Sequence, residues 1–308
     1  MPVKVAQEWF AICGGCEVTV LDVGEPLLDL LPELEFVHMP VIMDHKLFGQ
    51  TGENSSADIP EADVGIITGG IRNEENKHLA ELMRSRVKFL IAMGSCACFG
   101  GIPALANQFA LDDLYERVYR GNSTTDAGET PKGEVPALLD RVYAVDEVVK
   151  VDLKLPGCPT TPDMFVAAVM HLLKGTPFSL EQKSVCDQCP TLREKKAVAA
   201  LKRPLEPVEG VGEPLDTVRC FMEQGFLCQG PATRAGCGGF EGGIPRCIKA
   251  YMPCRGCYGP LNDEANPMVD MMGALSTIGL NPGQIPDRAA QFNRFAGAKG
   301  RLRTVPKR

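Results

Sequence analysis

Up to about residue 178 the chain alternates short apolar runs with stretches whose apolar residues recur every three or four positions. Residues 3–12 read as a first strand. Residues 17–31 follow with Val20, Leu21, Leu27, Leu28 and Leu31 at helical spacing, and 35–40 is a second short apolar run. ADVGIIT at 62–68 is a buried-strand run ended by Gly69 and Gly70. Residues 73–86 predict a charged amphipathic helix with Leu79, Leu82 and Met83 on one face. KFLIAM at 88–93 is another buried strand, closed by Gly94 and Ser95, and 148–155 leads into Pro156 and Gly157. Residues 162–174 read as a helix, with proline at its start and Gly175 past its end. Strands alternating with helices predict an α/β fold, a largely parallel sheet covered on both faces. The polar stretch 121–136 predicts a surface insertion.

Beyond about residue 180 this pattern stops. Residues 203–214 are rich in Pro, Glu and Gly, and from Cys220 onward Gly and Cys dominate, with periodic structure only near 267–278. The change predicts two domains, 1–178 and 179–308. The second cannot build a large apolar core, and metal–thiolate bonds can supply the missing ordering free energy. The basic stretch 299–308 reads as an exposed tail with no assigned function.

Composition narrows the choice. A length of 308 residues agrees with two domains of about 150. A net charge of −7 weighs against a nucleic-acid surface, and no apolar window approaches a membrane span. The opening MPVKVAQEWFAICGGC runs straight into a cysteine motif without the layout of an export signal, so the expected compartment is the cytoplasm. Thirteen cysteines in a reducing compartment are poor disulfide partners, and eight of them fall between 186 and 257. That density points to metal ligation.

Position gives the sharper signal. Cys13 and Cys16 follow the first strand in ICGGCE, Cys96 follows KFLIAM in GSCACFGG, and Cys158 follows another strand in PGCPTTP. Open α/β sheets bind ligands beyond the carboxyl ends of their strands, so three loops bring four thiols to one place. Four thiolates suit either zinc or a 4Fe-4S cluster. The later eight form two more sets of four. Cys186-x-x-Cys189 and Cys254-x-x-Cys257 are evident, while spacing leaves the pairing of Cys220, Cys228, Cys237 and Cys247 open, and two structural zinc ions remain an alternative. Cys98 is left over as a buried thiol. His38, His45, His78 and His171 are scattered, and His171 reads as a core residue. Glu17 is either a helix-start carboxylate or a proton relay. No phosphate-binding loop and no nucleophile with its base is present, so hydrolysis has no support.

These motifs resemble the small subunit of nickel-iron hydrogenases. The resemblance rests on ICGGCE, GSCACFGGIPA, PGCPTTP, CDQCP, CQGPATRAGC and MPCRGCYGP, which follow one another in family order from residue 12 to 260. It implies a flavodoxin-like, doubly wound parallel sheet followed by an irregular iron–sulfur domain, with three 4Fe-4S clusters. The proximal cluster would be held by Cys13, Cys16, Cys96 and Cys158. The medial one would use Cys237, Cys247, Cys254 and Cys257, and the distal one Cys186, Cys189, Cys220 and Cys228. Periplasmic members place histidine where this chain has Cys186, and commonly leave the medial site one thiolate short where Cys247 completes it. Both departures, with the missing export signal, resemble the methyl-viologen-reducing hydrogenase of methanogenic archaea. The resemblance implies an electron-transfer component of a hydrogenase with no nickel-iron site of its own. Its partners would be a large subunit, a small iron–sulfur acceptor subunit and heterodisulfide reductase. The deazaflavin-coenzyme-reducing enzyme is the alternative inside the family, although no ferredoxin-type cysteine run is present. Outside it stand a quinone-reductase component of the complex I type, which has no need of the later eight cysteines, and a zinc-stabilised interaction protein.

Overall fold

The computed structural model describes residues 1–124, 126–194 and 197–305. The chain forms two compact units, Met1–Pro159 with Ala296–Arg308, and Thr160–Phe295.

The first unit is built on five parallel strands. They are β1 (Val3–Trp9), β2 (Leu34–His38), β3 (Ala62–Thr68), β5 (Val87–Met93) and β7 (Leu153–Leu155), ordered β2-β1-β3-β5-β7. Counted along this sheet alone the order is 2-1-3-4-5, the doubly wound flavodoxin-like arrangement, with its switch point between β1 and β3. Ala6, Ile67, Leu90 and Ala92 on these strands are fully buried, and the central β3 and β5 read as mainly apolar runs. A small antiparallel ribbon pairs β4 (Ile71–Asn73) with β6 (Leu138–Tyr143).

Local chemistry sets the helix ends. Helix α3 (Glu74–Arg86) starts where the Asn73 side chain accepts the Asn76 N–H at 2.7 Å, with Glu74 and Glu75 in its first turn and Arg84 and Arg86 in its last. Leu79, Ala80 and Met83 are its buried face. The single helix expected over 17–31 is two helices, α1 (Gly15–Leu21) and α2 (Pro26–Leu30). Gly24 between them turns at a φ of 71°, and Pro26 can only begin a new helix. Two further short helices, α4 (Gly94–Phe99) and α5 (Leu111–Tyr115), complete this unit. The insertion at 121–136 is exposed along most of its length, and its Thr125 lies outside the described residues.

The second unit begins with α6 (Pro162–Leu173), earlier than the 178/179 boundary that the change of pattern suggested. The pattern misleads because α6 has the amphipathic look of one more crossover helix. Its Met164, however, packs in a cluster with Val185, Phe221, Phe226 and Tyr258. The unit continues with the one-turn helices α7 (Val185–Gln188) and α8 (Arg246–Lys249), then α9 (Pro267–Thr277) and α10 (Arg288–Phe292). Long loops lie between them. Helix α9 builds a second small core from Met271, Leu275, Ile278 and Phe292.

The stretch expected as a basic, exposed tail is one only in part: 299–301 are half-buried, Leu302 is buried and 303–305 are exposed. Residues 296–305 return to the first unit, and Ala296, Ala298 and Leu302 are buried there. Small and apolar residues alternate with the basic ones, which hides this packing from a charge count. Residues 306–308 lie outside those described. Among the described residues no helix is long and apolar enough to cross a membrane.

Candidate metal centres

Four cysteines of the first unit stand at the carboxyl ends of its strands. Cys13 lies in the turn after β1 and Cys16 in the first turn of α1. Cys96 is in α4, directly after β5, and Cys158 follows β7. The loops are tied to one another. Ala11 and Gly70 exchange backbone hydrogen bonds at 3.0 Å in both directions, joining the ends of β1 and β3. The Ser95 N–H donates to Gly157 O at 2.7 Å, and the Gly157 N–H to Ser95 Oγ at 3.1 Å, joining the Cys96 and Cys158 loops.

Glycine makes room for the sulfurs. Gly94, at a φ of 85°, leaves a space that a Cβ would close against Cys16 Sγ. Gly101, at a φ of 51°, passes so close to Cys96 that a Cβ would sit 2.5 Å from its sulfur. Cys13 and Cys158 are exposed, while Cys16 and Cys96 are buried. Burial first, and the neighbouring Cys158 and Cys13 thiols next, push the Cys96 thiol up to about 12, against an N–H donated by Ile102. Burial and then Cys13 raise Cys158 in the same direction. Burial thus favours the protonated form of both thiols.

The eight later cysteines all lie in the second unit. Cys186, Cys220 and Cys228 line a cavity of about 540 Å³ with Arg193, Met222 and Glu223. Cys186 is raised to about 12 by burial, with Arg193 opposing and Cys220 and Cys189 adding to the shift. Cys228, also raised to about 12 by burial, feels Cys186 and Cys220. Cys189 Sγ lies 3.1 Å from Thr191 Oγ1. These four thiols share one neighbourhood. Gly230 borders it, and a Cβ there would meet Cys186 Sγ at 3.0 Å.

The remaining four form a second neighbourhood. Cys237 and Cys247 interact, Cys254 interacts first with Cys228 and then with Cys257, and the buried Tyr258 hydroxyl feels both Cys237 and Cys257. Tyr258 is held where its Oη accepts the Thr161 N–H at 3.2 Å. The two neighbourhoods touch: the Cys254 N–H donates to Cys228 Sγ at 3.2 Å.

The residues fit an iron–sulfur group on two counts. The donors are all-thiol, and the sulfurs receive backbone N–H groups. Ile102 donates to Cys96, Gly230 and Cys254 to Cys228, Arg246 to Cys237, and Gly256 to Cys254. Among the described residues no three His, Cys, Asp or Glu side chains are gathered to hold a single metal ion.

The other singled-out residues sit apart from these sulfurs or behind them. Cys98 is fully buried in the first core, its thiol donating to Ala92 O at 3.2 Å. Glu17 is buried at the start of α1, where its Oε1 accepts from Gln7 Nε2 at 3.1 Å and from Thr68 Oγ1. His38 is buried against Glu8 at 2.6 Å. His171 is half-buried, its ring edge-on to Phe178 and Phe240, and not a core residue. Arg193, Thr191 and Tyr258 escape sequence reasoning because residue type and spacing do not show which side chains approach the sulfurs. Only the adjacency of Thr191 and Tyr258 to cysteine motifs hints at a role.

The class of protein follows. Residues 13–172 match the family described as NADH ubiquinone oxidoreductase, 20 Kd subunit. The chain is 39% identical over 296 residues to a component of the vhu F420-non-reducing hydrogenase of Methanocaldococcus jannaschii, covering 96% of this chain and 95% of that one. The corresponding component of the F420-non-reducing hydrogenase of Methanothermobacter marburgensis is 37% identical, covering 89% and 84%. Among solved structures it is similar to a chain of an NAD+-reducing NiFe-hydrogenase in the H2-reduced state, with 29% identity, a TM-score of 0.53, and coverage of 59% of this chain and 96% of that one. The chain belongs to the family of nickel-iron hydrogenase small subunits, of the F420-non-reducing type, and is a component of such an oxidoreductase.

Proposed function

We propose that the chain is the electron relay of a cytoplasmic hydrogenase, holding three 4Fe-4S clusters. Cys13, Cys16, Cys96 and Cys158 hold the proximal cluster. Cys237, Cys247, Cys254 and Cys257 hold the medial one, and Cys186, Cys189, Cys220 and Cys228 the distal one. A bound cluster supplies one-electron redox chemistry at each position. The chain's own residues fix where each group sits, shield it from water and set its potential through N–H donors and local charge. The observation that supports this most is that four thiols stand at the strand ends of the first unit and eight gather in two touching groups of the second, while the thirteenth, Cys98, turns into the apolar core.

Electrons enter from a large subunit that carries the nickel-iron site and leave to a small iron–sulfur acceptor subunit, and through it to heterodisulfide reductase, in the setting of methanogenesis. The names of the relatives support an acceptor other than coenzyme F420. An all-thiolate distal set places more negative charge on its cluster than a histidine-containing one, which favours a low potential suited to such an acceptor. Iron and acid-labile sulfide analysis of the anaerobically purified chain tests the reading. About twelve of each per chain are expected. Zinc without sulfide sinks it.

A further inference from the structure

The segment that returns to the first unit touches the turn that follows Cys96 and, through Asp146, is linked to the strand that precedes Cys158. Ala296 forms a parallel bridge with Gly101, the residue that wraps Cys96 Sγ. The Ala298 N–H donates to Phe99 O at 3.0 Å, one turn from Cys96. Gly100 is packed so closely here that a Cβ on it would lie 2.7 Å from Ala298 Cβ. The next residue, Lys299, reaches the short turn at Val145–Glu147. Its Nζ lies 2.5 Å from Asp146 Oδ2, and its N–H donates to Glu147 Oε2 at 3.2 Å. The same Asp146 oxygen is 2.5 Å from Lys154 Nζ, on the strand that runs into Cys158. Lys154 also stands 5.8 Å from the centre of the Phe99 ring. Further along, the Val305 N–H donates to Gln108 O at 2.9 Å.

We propose that residues 296–305 are a positioning latch for the proximal site. They hold the Phe99–Gly101 turn against Cys96 through Ala296 and Ala298, and hold the Cys158 strand through the Lys299–Asp146–Lys154 bridge. The inference rests on the reading of Cys96 and Cys158 as ligands. It also orders assembly. The latch follows the entire second unit in the chain, so the proximal site is completed only after the medial and distal ligands have been made.

Two variants test this in the anaerobically purified complex. Ala298→Pro removes the N–H that Phe99 O accepts, and Lys299→Met removes the bridge while leaving the apolar contacts. Loss of one such hydrogen bond speeds amide exchange at 99–102 roughly fivefold to tenfold. Ala298→Pro is also expected to lose about four of about twelve irons and the proximal EPR signal, with the medial and distal signals intact. Lys299→Arg restores what Lys299→Met loses. Unchanged exchange at 99–102 in Ala298→Pro and at 153–158 in Lys299→Met, with full iron, overturns the latch. Faster exchange in a protein whose unmutated form binds no iron leaves the latch standing and defeats the cluster reading instead.

Discussion

The two units of this chain solve the problem of order in different ways. In the first, Ile67, Leu90 and Ala92 lie on parallel strands and Leu79, Ala80 and Met83 on a helix, all packed in one apolar core. Burial of that surface stabilises the sheet whether or not anything is bound at its edge. In the second, three of the ten buried residues of the main cluster are Cys228, Cys237 and Cys254, beside Phe221, Phe226 and Tyr258. The helices that carry Cys186 and Cys247 are one turn long, too short to persist alone. One unit offers thiols at the rim of a core that exists already. The other buries them inside its main core.

The most severe way to break this contrast is to remove the iron. Treatment with a chelator and oxidant should abolish amide protection through most of the second unit while the five strands of the first keep theirs, as read by hydrogen exchange. Equal loss in both units would erase the distinction. Next come matched core truncations. Leu90→Ala should cost about 2–5 kcal/mol and lower the melting temperature with iron retained. Phe226→Ala should cost about 3–5 kcal/mol and, on the proposed ligand assignment, release iron as well, because Cys228, Cys237 and Cys254 share its cluster. Calorimetry with iron analysis separates the two outcomes.

A smaller effect is expected from Cys186→His, which keeps the fold and removes one thiolate from the cavity that Arg193 also lines. The distal potential should rise on the order of 100 mV in redox-poised EPR. An unchanged potential would remove Cys186 from the ligand set. The smallest belongs to Cys98→Ser. A hydroxyl can keep the hydrogen bond to Ala92 O, so the cost should be about 1 kcal/mol with all iron retained. Lost iron would show that Cys98 serves a cluster.

Much of the first unit was legible in the sequence, for a physical reason. The strands at 62–68 and 88–93 are buried on both faces and so read as unbroken apolar runs, and Asn73 announces the start of α3 through its own capping chemistry. The short α4 was not legible, because GSCACF looks like a glycine-rich turn. The break at Gly24 was missed because apolar spacing on its two sides happens to continue in phase. Among the candidate sites, the four strand-end thiols could be grouped from position alone. The pairing of Cys220, Cys228, Cys237 and Cys247 could not, since loops without periodicity carry no signal of which sulfur meets which.

What the sequence alone determined is therefore the alternating sheet, the cysteine-rich motifs and the family they belong to. These depend on residue type and short-range spacing, which are written in one dimension. Only the tertiary structure decided that α6 packs in the second unit, that residues 296–305 return to the first, and that Arg193 and Tyr258 stand among the thiols. Those are contacts between residues far apart along the chain. Their stability comes from packing and hydrogen bonding that no local pattern encodes.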